Sequence, residues 1–109
     1  MTETTSETPV LDLLASMTAA SLDASSLDAE TLMLVRIAAL VAVDAPPASY
    51  LLNLGAAGEL GMDAEQVRGV LAAVAPIVGT ARVASATGSI VAALGVAIEV
   101  AELEAEGGL

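Results

Sequence analysis

Few side chains in this chain can do chemistry. There is no histidine, cysteine or lysine, one tyrosine (Tyr50), one asparagine (Asn53) and three arginines, Arg36, Arg68 and Arg82. Thiolate attack, disulfide exchange and imidazole proton transfer are therefore excluded. Ser49 could act as a nucleophile, but a serine hydroxyl needs a neighbouring base, and only a carboxylate could serve here. The plainer reading is an exposed or capping serine in a first helical turn. Tyr50 and Asn53 stand three apart, which places them on one helical face. They could hydrogen-bond a ligand. Alternatively, Tyr50 is the one large core filler, and Asn53 caps a neighbouring helix or pairs across an interface. Arg82 falls in the first turn of an expected helix, where a cation works against the macrodipole. It is expected to pair with Asp44 or with carbonyls at a helix end, within the subunit or across an interface; anion binding is its functional alternative. Arg36 sits in an otherwise apolar helix and needs a partner if buried, so a salt bridge is expected, within or between subunits.

These residues must be positioned by a chain of 109 residues, which suggests one domain. The apolar share is 56 %, yet Tyr50 is the only aromatic residue, so the core must be built from Ala, Val, Leu, Ile and Met. Such short side chains let helices approach closely, but each buries less area than an aromatic. Tight helix packing and subunit association are the expected outcome. Fourteen acids against three arginines give a net charge of −11. Nucleic acid and anionic membrane surfaces, which demand clustered cations, are unsuitable partners. The acidity reads as solubility. The absence of cysteine fits a cytoplasmic location. The polar, acidic start has no basic n-region and so is not a signal peptide. A mean hydropathy of +0.80 makes a membrane span worth testing. Residues 32–43 are too few and contain Arg36, while residues 83–100 are interrupted by Ser85, Thr87, Ser89 and Glu99.

Residues 1–8 read as a disordered acidic arm, 9–104 as one helical domain and 105–109 as a flexible tail. Thr8 followed by Pro9 starts a first helix reaching about Ala20. Leu27-Asp28-Ala29-Glu30 and Met62-Asp63-Ala64-Glu65 each place an aspartate cap between a staple residue and a first-turn glutamate. Leu22-Asp23-Ala24 has the same grammar but reads as a turn. Helix two is expected over 29–43, apolar nearly all round except at Arg36 and therefore buried on several sides. Asp44-Ala45-Pro46-Pro47 breaks it and opens helix three, with Asp44 as the expected cap, and Gly61 stops that helix near Leu60. Gly55, Ala56, Ala57 and Gly58 offer it a smooth face for close contact. Helix four is expected over 64–74, ending before Pro76. Thr80 should cap a helix five running past Val100. Nothing alternates with period two for long enough to require a sheet, so the expected class is all-α with about five helices. The tail glutamates Glu99, Glu102, Glu104 and Glu106 are sequential and unconstrained, which reads as a solvated tail rather than a metal site. No cofactor motif is present.

Taken in order, these segments resemble the carboxymuconolactone decarboxylase and alkylhydroperoxidase D-like (AhpD-like) family. The resemblance covers residues 27–94 and rests on the Leu27-Asp28-Ala29-Glu30 start, the apolar run 32–43 and the helix over 46–60. It continues through Gly61-Met62-Asp63-Ala64-Glu65-Gln66-Val67 and Ala75-Pro76-Ile77-Val78-Gly79-Thr80-Ala81-Arg82. The family's redox members carry CxxCxxxH at the start of the matching helix and a glutamate one helix earlier. Aligning on Gly61 puts the cysteine positions at Pro46 and Ser49, the histidine position at Asn53 and the glutamate position near Leu34. All four reactive groups are missing, so peroxidase chemistry of the family type is impossible. The resemblance implies a homo-oligomer, trimeric or hexameric. The expected function is that of a non-catalytic family member, structural or binding a small apolar or anionic ligand. An atypical enzyme with a site at Tyr50, Asn53, Arg82 and Asp44 is the alternative, and a membrane-associated helical hairpin a weaker one.

Overall fold

The computed structural model describes the backbone of residues 7–106 and the side chains of residues 7–95. The expected arm, apart from Glu7 and Thr8, and the last three tail residues lie outside the described residues, as do the side chains of the tail glutamates. Five helices follow in order: α1 (Pro9–Ala24), α2 (Ala29–Ala42), α3 (Pro47–Glu59), α4 (Ala64–Val78) and α5 (Thr80–Glu106). No strand occurs among the described residues. No helix among them is long and apolar enough to cross a membrane.

Helix α2 is the hub. Its start is fixed by Asp28, whose carboxylate accepts from the Thr31 backbone N–H at 2.8 Å. It packs on α3, α4 and α5, and α5 in turn packs on α3 and α4. Its buried residues Leu32, Met33, Ile37 and Val41 run along the helix at spacings of one, four and four, a continuous core-facing stripe. One end of that stripe joins Ala57 of α3 and Val70 of α4. The other joins Ala45, Tyr50, Ala86, Ile90 and Ala93. Leu54 and Val67 pack against both groups and make the core continuous. Expected burial all round α2 stops at Val35, which is 52 % exposed.

Helix α4 opens on a full capping box. Asp63 accepts from the Gln66 N–H at 3.0 Å, and the Gln66 side chain accepts from the Asp63 N–H at 3.1 Å. The Gln66 amide also donates to Glu30, tying the first turns of α4 and α2 together. Helix α3 ends in a Schellman motif, with Met62 N–H on the Ala57 carbonyl, Gly61 N–H on the Gly58 carbonyl, and Gly61 at φ 86°.

Four sequence expectations are corrected. Helix α1 continues through Leu22-Asp23 to Ala24 rather than stopping near Ala20. Helix α4 runs through Pro76 to Val78 instead of ending at Val74. A proline in a last turn forfeits a single N–H bond, while Val74 and Val78 gain packing against the core around Tyr50. The turn before α5 is made by Gly79 at φ 89°, with the Val83 N–H on the Gly79 carbonyl, so Thr80 is the first helical residue and not the cap. The smooth face of α3 is used at Ala57 alone, since a Cβ at Gly55 or Gly58 would meet nothing within 4 Å.

Helix α1 differs from the rest. It has no buried residue and makes no close backbone approach to another helix among the described residues.

Candidate functional site

Asp44 and Arg82 each bond across the junction where α2 ends, and Tyr50 is buried next to Val41 and Ala45 there. The expectation that Asp44 caps α3 is corrected: α3 begins at Pro47 with Pro46 in the cap position, and Asp44 instead closes α2. Its N–H reaches the Val41 carbonyl at 3.2 Å and the Ala45 N–H reaches the Leu40 carbonyl at 3.0 Å, a second Schellman motif. The residue at its centre must adopt the left-handed region, and Asp44 does so at φ 56°, the only non-glycine residue with positive φ among those described. Aspartate tolerates this better than most residues. Its carboxylate accepts from the Ser85 hydroxyl of α5 at 2.6 Å. One turn earlier on α5, the Arg82 guanidinium donates to the Ala42 carbonyl. A cation poorly placed for its own helix thus serves the negative end of its neighbour.

Tyr50 lies beneath this junction, fully buried among Val41, Ala45, Ala86, Ile90 and Ala93. Its hydroxyl has no protein partner among the described residues. Burial, and secondarily the negative charge of Asp44, push its pKa above the ordinary 10.0. The phenol therefore stays protonated through the neutral range.

Ser49, Asn53 and Arg36 belong elsewhere. The Asn53 amide donates to the Ser49 carbonyl at 2.9 Å, a bond within α3. Asn53 also lines a groove with Arg36, between α1 on one side and α2 and α3 on the other. Among the described residues Arg36 does not form the salt bridge expected of it. It donates to the Thr18 carbonyl at 3.4 Å and to the Ser21 hydroxyl at 3.0 Å, both on α1. The ion pair among the described residues joins Arg68 and Glu65 at 2.6 Å on the surface of α4. Leu34, at the position matched to the family glutamate, packs against the core.

Three grooves stand out among the described residues. The first, about 400 Å³, lies between α3, α4 and α5 and is lined by Leu54, Val67, Leu71, Ile90 and Val91, with Asp63 and Arg68 among its polar residues. The second, about 440 Å³, lies between α2 and α4. The third, about 780 Å³, is the one beside α1. None of the three is lined by Tyr50, Asn53 and Arg82 together. Among the described residues no three carboxylates gather as a metal site would require. Ser85, Ser21 and Thr18, which anchor Asp44 and Arg36, carry no sequence signal that would have singled them out. Comparison with family models, curated proteins and solved structures finds no match to this chain.

Proposed function

We propose that this chain is a non-catalytic helical module that assembles with copies of itself. The observation that carries this reading is the unburied apolar surface of α1, where Val10, Leu11, Leu13, Leu14, Met17 and Leu22 are all about half exposed or more. A continuous exposed apolar strip of this kind marks an interaction surface rather than a solvated one. The polar candidate side chains bond structurally rather than to one another: Asp44 accepts from the Ser85 hydroxyl, Arg82 donates to the last carbonyl of α2, Asn53 bonds within its own helix, and Tyr50 is enclosed by aliphatic side chains. The sequence resemblance to the AhpD-like family adds the expectation of a trimer or hexamer without the redox centre.

Light scattering in detergent-free buffer tests the proposal. The expected result is a defined multiple of 10.7 kDa; a monomer at micromolar concentration would overturn it. A peroxide-consumption assay with a dithiol donor should show no turnover, and turnover would refute the non-catalytic part.

A second reading, binding of a small apolar ligand, is favoured by the groove between α3, α4 and α5, whose walls are almost wholly aliphatic. Titration with a solvatochromic apolar dye, compared between the wild type and Leu71→Gln, tests it; equal binding would refute the site.

A further inference from the structure

We infer that the groove beside α1 receives the outward ridge of α1 from a second copy, the same contact being made in both directions across a two-fold axis. This rests on the self-assembly reading and specifies the segment and the seat.

The groove is a wide cleft on which α1 stands off from the bundle. Leu11, Leu14 and Leu22 face it from α1, and Met33, Leu40 and Leu52 from the other side. Leu11, Leu14 and Leu22 nevertheless remain about half exposed or more, so the described residues do not close this space. Helix α1 is tethered by the two bonds from Arg36 and by the short connection 25–28, in which the Leu27 N–H is held by the Ser25 hydroxyl at 3.1 Å. At ~100° per residue, Val10 and Leu13 form a second ridge, turned roughly a third of the circumference from Leu11, Leu14 and Leu22, whereas Met17 lines the groove itself. Val10 is 65 % and Leu13 59 % exposed, and neither lines the groove of its own chain. One helix therefore carries two apolar faces: one looks into its own groove, and the other is uncovered among the described residues.

A second copy satisfies both. Its Val10–Leu13 ridge enters the groove over Leu52 and Ala56, while its own groove receives the first chain's ridge in the same way. Such reciprocal contact is what a two-fold interface requires. Arg36 is the only charged residue lining the groove, and the Val10–Leu13 ridge carries no charge, Asp12 and Asp23 lying roughly a third of the circumference away on α1. Contact through an almost uncharged surface is also how two chains of net charge −11 can approach. The exposed apolar area of α1 and the groove floor, taken at ~100 Å² per large side chain, is roughly 500 Å² per copy, so the pair buries roughly 1,000 Å², the size at which a specific interface begins.

The test uses full-length chains. Leu13→Glu places a charge on the outward ridge, at a largely exposed residue that does not line the groove of its own chain. The expected result is an even-numbered wild-type assembly that falls to half its mass in Leu13→Glu, with helicity by circular dichroism unchanged. Because the chain has no cysteine, a second measurement is clean: mixing Leu13→Cys chains with Ala56→Cys chains under oxidation should give disulfide-linked pairs of one of each. If the wild type assembles but Leu13→Glu keeps its full mass and the cysteines do not pair, the reciprocal contact is overturned and self-assembly stands. If the wild type is a monomer, self-assembly falls and the reciprocal contact falls with it.

Discussion

Replacing Asp44 separates two contributions that the junction between α2 and α5 combines. At φ 56° the backbone there is left-handed, which penalises a side chain bearing Cβ by roughly 1–2 kcal/mol. Asp44 offsets that penalty through the bond its carboxylate accepts from Ser85 at 2.6 Å. Hydrogen bonds to charged groups contribute roughly 1.5–3 kcal/mol, and exposure to solvent reduces this one to ~1 kcal/mol. Asp44→Ala keeps the penalty and loses the bond, so it should destabilise by about 1 kcal/mol or slightly more. Asp44→Gly loses the bond but removes the penalty, so it should leave stability within about 0.5 kcal/mol of the wild type. Ser85→Ala should cost about 1 kcal/mol in the wild type and nearly nothing in Asp44→Gly. Urea denaturation of the wild type, the three single variants and the double mutant reads all of these from the midpoint at constant slope. If Asp44→Ala were as stable as Asp44→Gly, the left-handed conformation would be refuted. If Ser85→Ala cost as much in the glycine background as in the wild type, the bond would be.

Two further perturbations bear on the core and on the helix starts. Tyr50→Phe should be neutral or stabilise by up to ~1 kcal/mol, because it removes a buried hydroxyl without a protein partner, whereas Tyr50→Ala should cost about 3–5 kcal/mol in the cavity it leaves; thermal unfolding distinguishes the two, and a large loss in Tyr50→Phe would show that the hydroxyl matters. The Asp28 pKa is held below its ordinary 3.8, chiefly by the backbone N–H of Thr31. Its folded value is depressed, so the cap contribution is present above 3.8 and is lost as pH falls through the lower folded value. Asp28→Asn should therefore flatten the decline in urea midpoint between neutral pH and pH 3, and an unchanged decline would refute the cap's share in it.

Helix starts were legible in the sequence because capping is local chemistry. Asp28 and Asp63 lie within three residues of the N–H groups they accept from, and Gly61 and Gly79 stand at turns that need positive φ. Asp44 was misread because two properties of aspartate point to the same place: it caps helix starts and it tolerates left-handed backbone at helix ends. Pro76 was read as a stop because proline breaks helix interiors, but a last turn has little hydrogen bonding left to break. The junction itself was not legible. Ser85 meets Asp44 across 41 residues of chain, and Arg36 meets Ser21 across 15, and nothing in either neighbourhood announces the pairing. The all-α class was open to sequence reasoning; the setting of α1 apart from the bundle was not, because its apolar pattern looks like that of a helix packed within its own chain.

The central place of α2 also sets the order in which the chain can become compact during synthesis. Val41 shares its core with Ile90 and Ala93, which leave the ribosome roughly fifty residues later. At ~5–20 residues per second, α2 waits roughly 3–10 s with its apolar stripe unmatched on the α5 side. During the first part of that interval, before α3 has emerged, α1 is the one apolar helix already made, and it is joined to α2 by four residues. The helix that stands apart in the finished fold is thus the first apolar neighbour that the hub meets as the chain is made.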